Sequence, residues 1–512
     1  MLSRRSLWVR MSAVVALVPG LCLVSVPTES TADDKGDAGS AVSATVRSDF
    51  DGDGFSDLVT GDDNEVLVAY GSRDGLTPSR TQLLPDTVFG EPPPPEHDGP
   101  GWPATLVVGD FDGDGYADLA VGVELSGAKE SGAVYIVHGS PTGLELRPRQ
   151  AWTQDSRGVP GRAEQHEGFG RGMAAANFGG SDHTDLAVGT EADGTVLILL
   201  GSPAGLTADG NQLWRAGSPG MPRQQGGTFG HVLAAGHFWG GPYADLAIGS
   251  PDAKVGGQSY AGSVTVLRGS SAGLTTRGSQ FWTQNSAGIT GGAERGDWFG
   301  EQLVSGRFTG QNHDDLAIGA PGEDLAGKPA TGAVHVLYGS ATGLRAKGSQ
   351  FWSKKGAMPG KLGRNDLFGR ALATGNLGRD RDGRSYGDLV IGSPGDGSWS
   401  GSVHVLYGSA GGLSVGQVER ISQDSHGIAG ARESGDQFGA PLAIGDFGNN
   451  SGQRRYDDVA IAAEWEDTTS AGWGTVSFIY GSAGGLTADG NQIWNRRRLR
   501  IDFWAGFALT AR

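Results

Sequence analysis

The sequence predicts an all-β chain, a seven-bladed β-propeller of four-stranded antiparallel blades. Three observations carry this expectation. The motif Gly-Ser-x-x-Gly-Leu begins at Gly71, Gly139, Gly201, Gly269, Gly339, Gly408 and Gly481, at spacings of 68, 62, 68, 70, 69 and 73 residues. Each copy follows an alternating apolar run, such as Val264-Thr265-Val266-Leu267, which is the signature of a strand entering a turn. A unit of this length has room for about four short strands, the pattern of a propeller blade.

The four strands of a unit are read in order. The first follows Phe-Gly, at Phe169-Gly170, Phe229-Gly230, Phe299-Gly300, Phe368-Gly369 and Phe438-Gly439; Phe89-Gly90 is displaced by the insertion around Pro92–Pro95. The second opens on an acid followed by Leu or Val, at Asp57, Asp118, Asp185, Asp245, Asp315, Asp388 and Asp458. The third precedes Gly-Ser. The fourth is an aromatic run, as at Gln212-Leu213-Trp214, Gln280-Phe281-Trp282, Gln350-Phe351-Trp352 and Gln492-Ile493-Trp494. One such sheet cannot cover both its faces, whereas a closed ring of them can. Gly506-Phe507-Ala508-Leu509-Thr510 aligns with Gly369-Arg370-Ala371-Leu372-Ala373. The C-terminus is therefore expected to dock beside the N-terminal strand near Ala44–Ser48 and close the ring.

Composition agrees. Gly accounts for 90 of 512 residues without a period of three, which excludes collagen. The net charge of −17 and the lack of a basic stripe exclude nucleic acid as a partner. Residues 1–32 read as an export signal: Arg4, Arg5 and Arg10, an apolar stretch from Met11 to Val26 broken by Pro19, then Ser30-Thr31-Ala32. The stretch is shorter than the roughly 20 residues a spanning helix needs. The mature chain is thus expected to be secreted, by a general or twin-arginine route, with no membrane span and as a monomer. Residues 33–41 read as a flexible lead-in and 42–512 as the propeller. Cys22, the one cysteine, lies in the signal, so disulfides, a Cys nucleophile and Cys-ligated zinc are excluded.

Two units carry an acidic loop. The first runs Asp49-Phe50-Asp51-Gly52-Asp53-Gly54-Phe55-Ser56-Asp57 and the second Asp110-Phe111-Asp112-Gly113-Asp114-Gly115-Tyr116-Ala117-Asp118. Acids at positions 1, 3, 5 and 9, with Gly at 6 for the sharp turn, converge hard oxygens on one point and suit Ca2+. The carbonyls of Phe55 and Tyr116, at position 7, are expected as further ligands. Position 12 is Thr60 or Val121 and the flanks are strands, so these are not EF-hands. Unit three keeps Asn177, Ser181 and Asp185. It lacks the central acids; units four and five are expected to have lost metal, their last Asp hydrogen-bonding the turn. Asn376, Asp380, Asp382 and Asp388 in unit six, and Asp446, Asn449 and Asp458 in unit seven, form weaker candidate sites.

These units resemble FG-GAP repeats, the blades of the integrin α-subunit propeller. Phe299-Gly300, Leu316-Ala317-Ile318-Gly319-Ala320-Pro321 and Gly332-Ala333-Val334 carry the resemblance, which extends over about residues 42–512. It implies a seven-bladed propeller with Ca2+ in loops of the form Asp-x-Asp-x-Asp-Gly-x-x-Asp on one face, matched in full by the first two units. Integrins carry such loops in later blades, so their ligand specificity does not transfer, and the nearer analogy is an exported bacterial protein.

Two motifs are set aside. Arg295-Gly296-Asp297 spells the adhesion tripeptide, but its Asp is a repeat position, equivalent to Asp436. Gly269-Ser270-Ser271-Ala272-Gly273 fits a nucleophile elbow but lies in the seven-fold turn and precedes no helix. No catalytic set emerges. The expected function is a calcium-binding, exported module for adhesion to a protein or surface glycan. The alternatives are a hydrolase with its site on the propeller, or a lectin.

Overall fold

The structure, a computed structural model, describes residues 48–510 apart from 62–64, 86–87, 90–104, 124–129, 147–149, 222–223, 357, 381–383, 450–455, 467–473 and 496–507. The export signal, the lead-in and the Pro92–Pro95 insertion lie outside the described residues.

Among the described residues the strands form seven separate four-stranded antiparallel sheets, the blades of the expected propeller. Blade 5 shows how the repeat builds one. Phe299-Gly300 leads into the inner strand Gln302–Gly306, which pairs with Asp315–Ala320, then Ala333–Tyr338, then the outer strand Arg345–Trp352. The three inner strands are buried throughout, because neighbouring blades cover both of their faces. They therefore read as near-continuous apolar runs. The outer strand is exposed or half-buried over all but its last residue, and its pairing with the third strand shifts register between Val336 and Tyr338, an irregularity at the edge.

The inner strands Thr105–Gly109, Phe169–Ala176, Val232–Gly236, Gln302–Gly306, Ala371–Gly375, Leu442–Gly445 and Ala508–Thr510 pack in succession, and the last meets the first. Closure is thus made by the C-terminus, as expected, but with a different partner. Ala508–Thr510 pairs with Leu58–Gly61, the second strand of blade 1, and so supplies that blade's missing inner strand. It is Leu58–Gly61 that has an open edge to fill. Residues 44–47 lie outside the described residues, and Ser48 is a bend that caps the first acidic loop, its carbonyl accepting from the Asp57 amide at 2.7 Å.

The Gly of Gly-Ser earns its repetition by close approach rather than by unusual torsion. A Cβ on Gly339 would stand 2.3 Å from the Asp314 carbonyl oxygen, and one on Gly139 would stand 2.2 Å from that of Ala117. In each blade the backbone before the second strand runs directly against this turn, and a side chain would push the two apart.

Candidate metal centre

The acid that opens each second strand has one job in all seven blades. Asp57 accepts from the Phe50 and Gly71 amides, both at 2.8 Å. Asp118 accepts from Phe111 at 2.9 Å and Gly139 at 3.0 Å. Asp185, Asp245, Asp388 and Asp458 repeat the pair of bonds, and Asp315 holds Gly339 at 2.9 Å. The carboxylate staples the loop between the first two strands to the Gly-Ser turn. This role, expected for blades 4 and 5, also belongs to Asp57, Asp118, Asp388 and Asp458.

The acids at positions 1, 3 and 5 do converge. Asp49, Asp51 and Asp53 each offer a carboxylate oxygen within 4.8 Å of the others, and so do Asp110, Asp112 and Asp114. The glycines let the loops curl, with φ of 74° and 87° at Gly52 and Gly54 and of 74° and 92° at Gly113 and Gly115. Backbone amides hold the first acid from inside. Asp49 accepts from Asp53 at 2.9 Å and Gly54 at 2.7 Å; Asp110 accepts from Gly113 at 2.7 Å and Gly115 at 3.1 Å. Phe55 and Tyr116 take the seventh place, their amides bound to Asp53 and Asp114.

Burial, followed by mutual repulsion among the acids, leaves Asp49 and Asp51 above the ordinary carboxylate range. Burial raises Asp110 and Asp118 likewise, and pushes Asp57 up to about 9. Such concentrated negative charge is what a cation relieves. The acids at positions 1, 3 and 5 are hard oxygen donors that fit Ca2+ rather than a softer metal, and at the second loop a His138 nitrogen also stands within ligand range of Asp112 and Asp118.

Two residues at these loops were not anticipated. Arg80 lies across the first, its Nη2 2.9 Å from Asp51 Oδ2 and 3.1 Å from Asp53 Oδ2. His138 stands at the second, its Nδ1 2.9 Å from Asp112 Oδ2 and 3.3 Å from Asp118 Oδ1. His138 had a sequence signal, since it precedes Gly139 where four units have Tyr before Gly-Ser. Arg80 had none, because its reach depends on how the outer strand folds back. The loops are also joined: the Ala117 amide donates to the Asp49 carbonyl at 3.1 Å, and Tyr116 packs over Gly52.

The weaker candidates are organised differently. Asn376 Nδ2 reaches Asp380 Oδ2 at 3.2 Å, and its amide is held by Asp457 at 2.7 Å, while Asp382 lies outside the described residues. Asp446 is buried near Asp458, whereas Asn449 is exposed and donates its amide to the Arg73 carbonyl at 3.1 Å. In blade 5 the side chain of Arg307, at the first loop position, pairs with Asp314 at 3.1 Å, a fixed cation in a loop without acids at positions 1, 3 and 5. The adhesion tripeptide is not displayed, for Asp297 is 1% exposed.

Residues 102–137, which contain the second acidic loop, match the FG-GAP repeat family. Integrin alpha-PS2 of Drosophila melanogaster is 30% identical over 244 residues, 46% of this chain and 15% of that protein. Phosphatidylinositol-glycan-specific phospholipase D of Bos taurus is 28% identical over 233 residues, 45% of this chain and 26% of that protein. The chain therefore spans about a quarter or less of the length of these relatives. Among solved structures, apo AztD from Citrobacter koseri aligns over 90% of this chain and 98% of its own, with 8% identity and a TM-score of 0.38. The chain is thus a seven-bladed β-propeller that matches the FG-GAP repeat at residues 102–137 and is similar over part of its length to integrin alpha chains.

Proposed function

We propose that the chain is an exported calcium-binding propeller that serves as a binding module for an extracellular protein or a surface glycan. The observation that carries the calcium reading is the convergence of three carboxylates in each of two adjacent loops. Asp49, Asp51 and Asp53, with Asp57 and the Phe55 carbonyl, would hold one ion. Asp110, Asp112, Asp114 and Asp118, with the Tyr116 carbonyl, would hold the other. Bound Ca2+ neutralises these acids and stiffens loops already tied through Ala117 and Asp49, so it braces the junction of blades 1 and 2. The affinity expected is in the roughly 10⁻⁴–10⁻³ M class of extracellular modules.

The partner surface is assigned to the opposite face, formed by loops between second and third strands and between blades. There Tyr260, Trp399 and Trp465 are 49%, 39% and 40% exposed. Large aromatics with a polar edge suit both protein and sugar ligands. Calorimetric titration tests the metal: Asp51→Ala and Asp112→Ala should each remove one bound Ca2+, and full stoichiometry in both would refute the sites. Capture of a partner from the exterior of the producing cell, with Ca2+ and then with chelator, tests the binding role.

A further inference from the structure

On the face opposite the acidic loops, where the chain passes from one blade to the next, a set of three side chains recurs. At the junction of blades 5 and 6 it is Lys354, Asp366 and Asp396. The Lys354 ammonium, its side chain wholly buried, donates to Asp366 Oδ2 at 2.8 Å and to Asp396 Oδ1 at 2.7 Å. Arg420 adds a second cation, 2.6 Å from Asp396 Oδ2. Two carboxylates thus meet two positive charges.

The junction of blades 4 and 5 keeps the frame and lacks both cations. Gln284 stands two residues beyond Trp282, as Lys354 does beyond Trp352. Asp297 precedes Phe299 as Asp366 precedes Phe368, and Glu323 follows Pro321-Gly322 as Asp396 follows Pro394-Gly395. Phe351, opposite His335, holds the register that Arg420 holds opposite His404. Gln284, Asp297 and Glu323 are 1%, 1% and 6% exposed. Gln284 Nε2 donates to Glu323 Oε2 at 2.5 Å, while Gln284 Oε1, fully enclosed, has no hydrogen-bond partner among the described residues. The same substitutions recur at the next-but-one junction, where Gln423 donates to Glu466 and Ile493 replaces the Arg.

We infer that the blade 4–blade 5 junction binds a divalent cation of the calcium class between Asp297, Glu323 and the amide oxygen of Gln284, at the place the Lys354 ammonium takes one blade later. Turning the Gln284 amide by half a revolution, which its shape permits, presents Oε1 to the carboxylates and completes three hard oxygen donors. A double positive charge replaces the two that blades 5 and 6 supply from side chains. The amide oxygen that is stranded in the bare site thereby gains a partner, while Nε2 moves to the enclosed place that Oε1 held. The strain on the bare pair is visible in Glu323, which burial and the nearby Asp297 push up to about 7. This site is independent of the acidic loops.

The test uses the full chain carrying Asp51→Ala and Asp112→Ala, so that the loops are silent, and follows Ca2+ binding by calorimetry. Gln284→Lys, which restores the ammonium, should lower the number of bound ions by one and raise the melting temperature in chelator. Glu323→Gln should also lower it by one and decides the matter if the Lys variant does not fold. An unchanged ion count in the folded variants overturns the site. So does a parent that binds no Ca2+ but takes up a proton near pH 7, which would mean that the two acids share a proton. Failure of the loop reading shows separately, as an unchanged count when Asp51→Ala and Asp112→Ala are compared with the native chain.

Discussion

Gln492, in the last blade, donates its side-chain amide to the backbone carbonyl of Leu76, in the first, at 3.2 Å and across 416 residues of sequence. The same bond runs from Gln82 to Leu144, Gln150 to Leu206, Gln212 to Leu274, Gln280 to Leu344 and Gln350 to Leu413. The Gln of each aromatic run thus pins the Gly-Leu of the following blade. The ring-closing junction is thus chemically like the others. One junction differs: Glu419 takes the Gln position in blade 6 and pairs with Arg379, which reaches the Gly484 carbonyl at 2.8 Å.

Deleting residues 508–512 removes the inner strand of blade 1 and bares the edge of Leu58–Gly61. The expected result is a sharp fall in melting temperature and a tendency to associate through that edge. Gln492→Ala, which removes the latch together with the side-chain bonds to Tyr480 and Trp494 but leaves the strand in place, should cost about 1–3 kcal/mol, the range for leaving a buried acceptor unpaired. An unchanged melting profile for the truncation would mean that closure does not depend on this strand.

Gly339→Ala should destabilise strongly, because the new methyl would stand 2.3 Å from the Asp314 carbonyl oxygen. Gly241→Ala is the control, since a Cβ there meets nothing within 4 Å. Chemical denaturation of the two variants reads the contrast, and equal midpoints would show that the turn relaxes freely.

Arg80 competes with any cation for Asp51 and Asp53. Arg80→Gln should tighten Ca2+ at the first loop by a few-fold, about the worth of a partly exposed ion pair, and leave the second loop unchanged. Calorimetry resolves the two; a weaker first site would make Arg80 a support for the metal rather than its rival.

Burial pushes Asp315 up to about 8, from a usual value of 3.8. Between these values the folded chain keeps a proton that the unfolded chain has lost, so this group's contribution to stability is complete below the lower value and fades as pH rises to the upper one. Stability in chelator should therefore fall from about pH 4 to pH 8. Asp315→Asn should make that slope shallower, whatever it does to the absolute level; an unaltered slope would place the titration elsewhere.

The fold was legible because it is repetitive. Phe-Gly, the strand-opening Asp, Gly-Ser and the Gln-aromatic run each mark one fixed place in a blade, and each recurs often enough to be read against its copies. The three converging acids of each loop were legible for the same reason, since their spacing of two is local. The closing partner was not. Ala508–Thr510 reads as an opening strand, but which edge stands open depends on the whole circuit of blades.

The sequence by itself determined seven blades, their strands and the carboxylates at positions 1, 3 and 5, because short-range periodicity and turn chemistry specify them. Only the tertiary structure decided that Asp57, Asp118, Asp388 and Asp458 staple turns as the acids of blades 4 and 5 were expected to, that Arg80 and His138 face the loops, and that Lys354 and Gln284 occupy like places with unlike charge. Charge compensation is settled between residues that the chain sets far apart and packing brings within a few ångströms.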